Sequence, residues 1–175
     1  LVDAIRRMTG PRSVYCLFIG DGRAPDLLQA IDDAGLAGRV RVHGYSRAAR
    51  RLAAAADVLV LPSRSEGQPL AVLEAFCDRL LVLVSNIPEL SELVEDGATG
   101  LRFAVDDAGS LAAALDRLST MPDATRRAIT SRARLLQASR FTTTVMANHY
   151  VDLYRESRHA HVSESASRSI VTPAA

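Results

Sequence analysis

Val58-Leu59-Val60-Leu61-Pro62-Ser63-Arg64-Ser65-Glu66-Gly67-Gln68-Pro69-Leu70, running on through Ala71-Val72-Leu73-Glu74-Ala75-Phe76-Cys77, decides the fold. Four consecutive apolar residues stopped by a proline read as a buried strand. The eight residues from Leu70 are apolar except for Glu74 and follow a Gly and a Pro, so they read as a helix. A buried strand feeding a helix through a short polar loop is half of a βαβ unit, and the pattern repeats on both sides.

Upstream, Val14–Ile19 is an apolar run ended by Gly20-Asp21-Gly22, Pro25–Ala34 has helical spacing, and Arg39–His43 alternates before Gly44. Ala48–Ala56 is an alanine-rich helix. Downstream, Leu80–Val84 is a wholly apolar strand, Glu89–Glu95 a short helix and Leu101–Phe103 a last strand. From Ser110 the pattern is all helix: Leu111–Leu118, Asp123–Gln137 and Thr142–Arg155. The expected fold is α/β, a Rossmann-like doubly wound parallel sheet with a helical C-terminal end. Residues 1–157 form this domain, and the Ser/Ala-rich residues 158–175, which lack periodicity, read as a disordered tail.

Composition removes several classes. The chain has 175 residues, 48% hydrophobic, with a net charge of +1, which excludes a wholly disordered protein. No window is long and apolar enough to span a membrane, and the start at Leu1 lacks a signal peptide and a Met, as expected of a chain beginning inside a longer protein. All 21 basic residues are Arg, which excludes Schiff-base chemistry, a P-loop lysine and a receiver-type site. These arginines are dispersed and balanced by 20 acids, so no nucleic-acid stripe exists. Cys16 and Cys77 form no C-x-x-C pair and read as reduced, buried thiols, which suits the cytoplasm.

Ligands of such sheets bind beyond the carboxyl ends of the strands. Gly20-x-Gly22 lacks the third glycine of a dinucleotide fingerprint, since Pro25 stands there, and reads as a tight turn. The loop after Leu61 is richer. One of its serines supplies a capping hydroxyl, Gly67 lets a ligand approach the backbone, and the helix starting near Pro69 aims free N–H groups at a diphosphate. Glu66 would repel that phosphate unless it is aimed past it at neutral hydroxyls, such as those of a sugar. Glu74 has no cation at its helical neighbours; it reads equally as a solvated face and as an acceptor for a ribose diol. Asn86 or Ser85 caps the helix that Pro88 begins, and Glu89 and Glu92 suit its dipole. No metal-binding D-x-D is present, and His159-x-His161 reads as solvated.

The ordered segments Gly20-Asp21-Gly22, Val40–Gly44, Ala56-Asp57-Val58, Leu61-Pro62-Ser63, Glu66-x7-Glu74-Ala75, Ser85 to Glu92 and Asp96-Gly97-x-Thr99-Gly100 resemble the C-terminal, donor-binding domain of group 1 glycosyltransferases. These are retaining family 4 enzymes of the GT-B fold, and the match covers residues 1–155. The resemblance implies transfer of a hexose-type sugar from a UDP-, GDP- or ADP-linked donor, with no metal and no cofactor. It implies bacterial glycan biosynthesis in the cytoplasm, an N-terminal acceptor domain outside this chain, and peripheral membrane association through that domain. Carried over by position, Glu66 is the catalytic-site carboxylate on the sugar hydroxyls. Gly67, Gln68, Pro69 and Leu70 meet sugar and diphosphate, Glu74 takes the ribose, and Val42, His43 and Gly44 border the base.

There are departures from the pattern. The family's Arg and Lys on the first strand of this domain precede Leu1; losing two charge-assisted contacts weakens donor binding by about 10²–10⁴-fold. Arg79 and Leu81 stand where the family has Gly and Pro, and Pro88-Glu89 stands for a Gly-Gly. The alternative to an enzyme half is a degenerate nucleotide-sugar-binding fragment or interaction module.

Overall fold

The computed structural model describes residues 1–10, 13–20 and 25–168. The turn residues Asp21 and Gly22 and the last part of the expected tail, 169–175, lie outside the described residues. In chain order the elements are α1 (Val2–Arg7), β1 (Cys16–Ile19), α2 (Pro25–Asp33), β2 (Val40–Gly44), α3 (Ala49–Ala53), β3 (Val58–Leu61) and α4 (Leu70–Cys77). Then come β4 (Leu81–Ser85), α5 (Pro88–Ser91), β5 (Leu101–Phe103), α6 (Ala108–Ser119), α7 (Asp123–Arg140) and α8 (Thr143–Arg168).

All strand pairings are parallel, as wholly apolar strands alternating with helices require. The hydrogen bonding falls into two sheets rather than one, however: β1-β2, and β3-β4-β5. β4 is paired on both sides and all five of its residues are buried. β1 and β3 are just as apolar in sequence but pair on one side only, and β3 is half-buried throughout. One core nevertheless underlies both sheets. Ala4 and Ile5 of α1, Val40 of β2, Leu81 and Leu83 of β4, and Leu111 and Leu115 of α6 belong to a single buried cluster, with Phe18, Val58 and Val60 packed against it. Each fully buried Leu, Val or Ile contributes about 1.5–3 kcal/mol.

α1 escapes the sequence reading because six residues are too few to show a period, although its Ala4 and Ile5 are among the most buried of the chain. The connection from α1 to β1 is anchored by Asp116 of α6, whose two carboxylate oxygens accept the Thr9 and Gly10 N–H groups at 3.0 and 2.9 Å.

The turn from α4 to β4 is a Schellman motif. The Leu80 N–H donates to the Ala75 carbonyl at 2.8 Å and the Arg79 N–H to that of Phe76 at 3.3 Å. Arg79, at φ +56°, occupies the left-handed position that such a motif normally gives to glycine.

The chain divides into two compact units, Leu1–Leu135 and Leu136–Ala175. In the second unit the Thr142 hydroxyl accepts the Val145 N–H at 3.2 Å and so caps α8. The helix then runs to Arg168. Residues 158–168, expected to start a disordered tail, are therefore helical. Ala, Glu and Arg, frequent in this segment, favour helix by intrinsic propensity without any apolar periodicity. Among the described residues no helix is long and apolar enough to cross a membrane.

Candidate functional site

Three hydrogen bonds gather the carboxyl ends of the strands. The buried Ser85 hydroxyl donates to the Leu61 carbonyl at 3.4 Å, joining β4 to β3. The Asn86 N–H donates to Phe103 at 2.8 Å, joining β4 to β5, and the Gly20 N–H donates to Gly44 at 3.0 Å, joining β1 to β2.

The β3–α4 loop is the chemically loaded end. Pro69 is the N-cap of α4 and no side chain caps it, so the expected serine cap is absent. Ser63 does something else: its hydroxyl donates to Glu66 Oε1 at 2.5 Å. The hydroxyl gives its one proton to the Glu66 carboxylate, and its oxygen accepts no N–H from the start of α4 among the described residues. Glu66 is thus held half-buried at the head of the loop. Behind it the Leu70 N–H is taken by the Gln68 carbonyl at 2.8 Å and the Val72 and Leu73 N–H groups by Pro69. The N–H groups of Gly67, Gln68 and Ala71 make no hydrogen bond among the described residues, and all three residues are exposed. They form a donor surface at the positive end of a helix, suited to an anion.

Gly67 is not demanded by the fold. A Cβ there meets nothing within 4 Å, so the absent side chain leaves open space on the exposed side of the loop. Gly100 contrasts with it, because a Cβ there would stand 2.5 Å from Val82 Cγ2 and 3.1 Å from the Val82 carbonyl. The Asp96–Gly100 segment is therefore a packing device. Its Thr99 hydroxyl accepts the Glu95 N–H at 2.9 Å, and its Asp96 carboxylate accepts the Arg102 N–H at 2.8 Å.

Glu74 lies one to two turns along α4, exposed, and its side chain makes no hydrogen bond or ion pair among the described residues. No cation stands at its helical neighbours, as expected. Arg50 of α3, remote in sequence, has its pKa raised chiefly by the Asp78 carboxylate, with Glu74 a minor contributor. Arg50 is itself committed to Asp78, at 3.0 and 2.9 Å, which holds the Asp78 carboxyl below its ordinary value.

Glu66, Gly67, Gln68, Pro69, Leu70 and Glu74 thus share one loop and one helix. Val42, His43 and Gly44 belong to the other sheet, with His43 exposed, and no hydrogen bond among the described residues ties them to that loop. At the third strand end Ile87, not Asn86 or Ser85, is the N-cap of α5, with Pro88 starting the helix as expected. Asn86 instead accepts the Ser91 hydroxyl at 2.9 Å.

Two features escaped the sequence reading. Arg64 grips Asp106 through Nε at 2.8 and 3.0 Å, strapping the β3–α4 loop to the β5–α6 loop. Tyr45, directly after Gly44, is 70% exposed at the β2 end; an aromatic behind a strand-ending glycine was the available signal. No group of His, Cys, Asp and Glu among the described residues could hold a metal.

A model of the family described as glycosyl transferases group 1 matches residues 1–121. The chain is 27% identical over 154 residues to the lipopolysaccharide core biosynthesis glycosyltransferase LpsE of Rhizobium meliloti, covering 87% of this chain and 44% of that protein. It is 29% identical to the alpha-D-kanosaminyltransferase of Streptomyces kanamyceticus, covering 89% and 41%. In structure it is similar to Anabaena HepE, solved with UDP and glucose, at a TM-score of 0.81 and 22% identity over 89% of this chain and 43% of that one. The sucrose-phosphate synthase of Thermosynechococcus elongatus gives 0.79 at 25% identity, covering 91% and 41%. The chain therefore spans less than half the length of these relatives.

Proposed function

The chain belongs to the group 1 glycosyl transferases, and from that premise we propose that it is the donor-binding half of a retaining family 4 enzyme, which moves a hexose-type sugar from a nucleotide sugar to an acceptor. The observation that carries this reading is the pairing of two opposite chemistries on one loop. Open N–H groups at Gly67, Gln68 and Ala71 suit a diphosphate, and a carboxylate at Glu66, fixed by Ser63, suits neutral hydroxyls.

In this reading the diphosphate lies against the N-terminal end of α4, whose amides stabilise the negative charge that develops as the sugar leaves. Glu66 accepts hydrogen bonds from the sugar and fixes its orientation at the reacting carbon. Glu74 takes the ribose hydroxyls, and the Val42-His43-Gly44 segment, with Tyr45 beyond it, borders the base. No metal enters the step.

The only arginine of the β3–α4 loop, Arg64, is tied to Asp106. The cations for the diphosphate therefore come from the rest of the enzyme, together with the acceptor domain. The open edges of β1 and β3 are where we place one further strand of that remainder. The intact enzyme works in the cytoplasm.

The test is a titration of UDP-, GDP- and ADP-sugars into this chain and into Glu74→Ala, followed by amide shifts. Shifts at Gly67–Leu70 and at His43-Gly44, weakened in the variant, are expected. Shifts confined to other residues would overturn the assignment. In the full-length enzyme Glu66→Ala should abolish transfer while sparing nucleotide binding, and unchanged turnover would remove Glu66 from its role.

A further inference from the structure

At the amino-terminal ends of β3 and β4, opposite the donor loop, lies a cavity of about 340 Å³. Asp57, Asp78, Arg79, Arg126, Arg127 and Ser131 contribute to its lining. The charges do not cancel. Asp78 is neutralised by the two-pronged contact from Arg50. Arg126 is fixed in place by the Leu118 carbonyl at 3.2 Å and the Asp57 carbonyl at 3.4 Å, which hold its guanidinium without removing its charge. The side chains of Arg79 and Arg127 make no hydrogen bond or ion pair among the described residues. Three arginines thus line the cavity against one carboxylate, Asp57, that has no ion pair among the described residues, in a chain whose net charge is only +1.

Arg79 also sits at φ +56° in the Schellman position where glycine costs nothing. An L-residue is disfavoured there, so the Arg79 side chain stands against the preference of the backbone. Arginines and a serine lining one concave surface offer planar guanidinium forks and a hydroxyl of the kind that recognises the tetrahedral oxygens of a phosphate.

We propose that this cavity binds a phosphate monoester, independently of the donor loop at the other ends of the same strands. Arg79 and Arg127 supply the charged donors, Arg126 fixes the cavity's positive field, and Ser131 contributes a hydroxyl. The phosphate comes either from a soluble metabolite or from a lipid headgroup, and the two probes below separate these sources.

Arg79→Gly makes the test clean, because it removes the guanidinium while relieving the backbone, so the variant folds at least as well as the parent. Glycerol phosphate is titrated at low ionic strength, following the amides of Arg126–Ser131. In parallel, sedimentation with phosphatidylcholine vesicles is measured with and without phosphatidic acid. Binding of either probe that falls about tenfold in Arg79→Gly and in Arg127→Ala, with part recovered in Arg79→Lys, is the expected result. Glycerol phosphate binding identifies a soluble source; binding of the acidic vesicles alone identifies a headgroup. Two outcomes overturn the proposal: neither probe binding at millimolar phosphate, or binding that the two variants leave unchanged.

Discussion

The Ser63 hydroxyl lies 2.5 Å from Glu66 Oε1, so the carboxylate at the head of the β3–α4 loop is held by a residue three positions before it in the same loop. Ser63→Ala leaves Glu66 charged but free to turn. Loss of one such bond corresponds to about three- to tenfold, and it should fall on binding of the nucleotide sugar rather than of the free nucleoside diphosphate. Calorimetric titration of both ligands checks the difference. Equal losses would mean that Ser63 shapes the whole loop.

Gly100 has no room for a side chain. Alanine there would press on Val82 Cγ2 at 2.5 Å and Val94 Cγ1 at 2.7 Å, and also on the Val82 carbonyl at 3.1 Å, which belongs to the central strand and cannot rotate away. Gly100→Ala should lose about 1–3 kcal/mol, read as a lower denaturant midpoint, whereas Gly67→Ala, which meets open space, should leave the midpoint unchanged.

Asp116 ties α6 to the connection after α1. Its carboxyl is held below the ordinary value, chiefly by the Thr9 N–H and further by that of Gly10. A depressed carboxylate contributes stability that is complete above the unfolded-chain value, near pH 4, and is lost as pH falls through the lower folded value. Asp116→Asn keeps one acceptor oxygen and loses the charge. It should be less stable at neutral pH and show a shallower loss of stability on acidification, as measured by denaturant midpoints across the acid range.

In α8, Met146, Tyr150, Leu153 and Tyr154 are between 54% and 73% exposed. Their spacing puts them along one helical stripe. A stripe of this size favours association, so the chain should form concentration-dependent oligomers. A Tyr150→Glu, Leu153→Glu double variant should reduce them, as light scattering would show.

Most strands and helices were legible because their signals are local. An apolar run stopped by Pro62, or by Gly44, needs no partner to be read. The Glu66-x7-Glu74 spacing is local too, since loop and helix are contiguous in the chain. The capping expectation failed because no serine oxygen of the loop accepts an N–H at the start of α4, and sequence spacing alone does not place a hydroxyl against those groups. α1 was silent because its signal is burial rather than period.

By itself the sequence determined the parallel α/β alternation and the polar β3–α4 loop that carries Glu66 ahead of Glu74 on α4, because turn residues and apolar runs act on their own neighbours. Only the tertiary structure decided that the strands bond as two sheets with open inner edges, that Arg50 reaches α4, and that Arg64 straps two loops together. It alone brought Arg79, Arg126 and Arg127 from two separate elements to one cavity. These are relationships between segments far apart in the chain, and packing of the shared core, not any local preference, sets which of them meet.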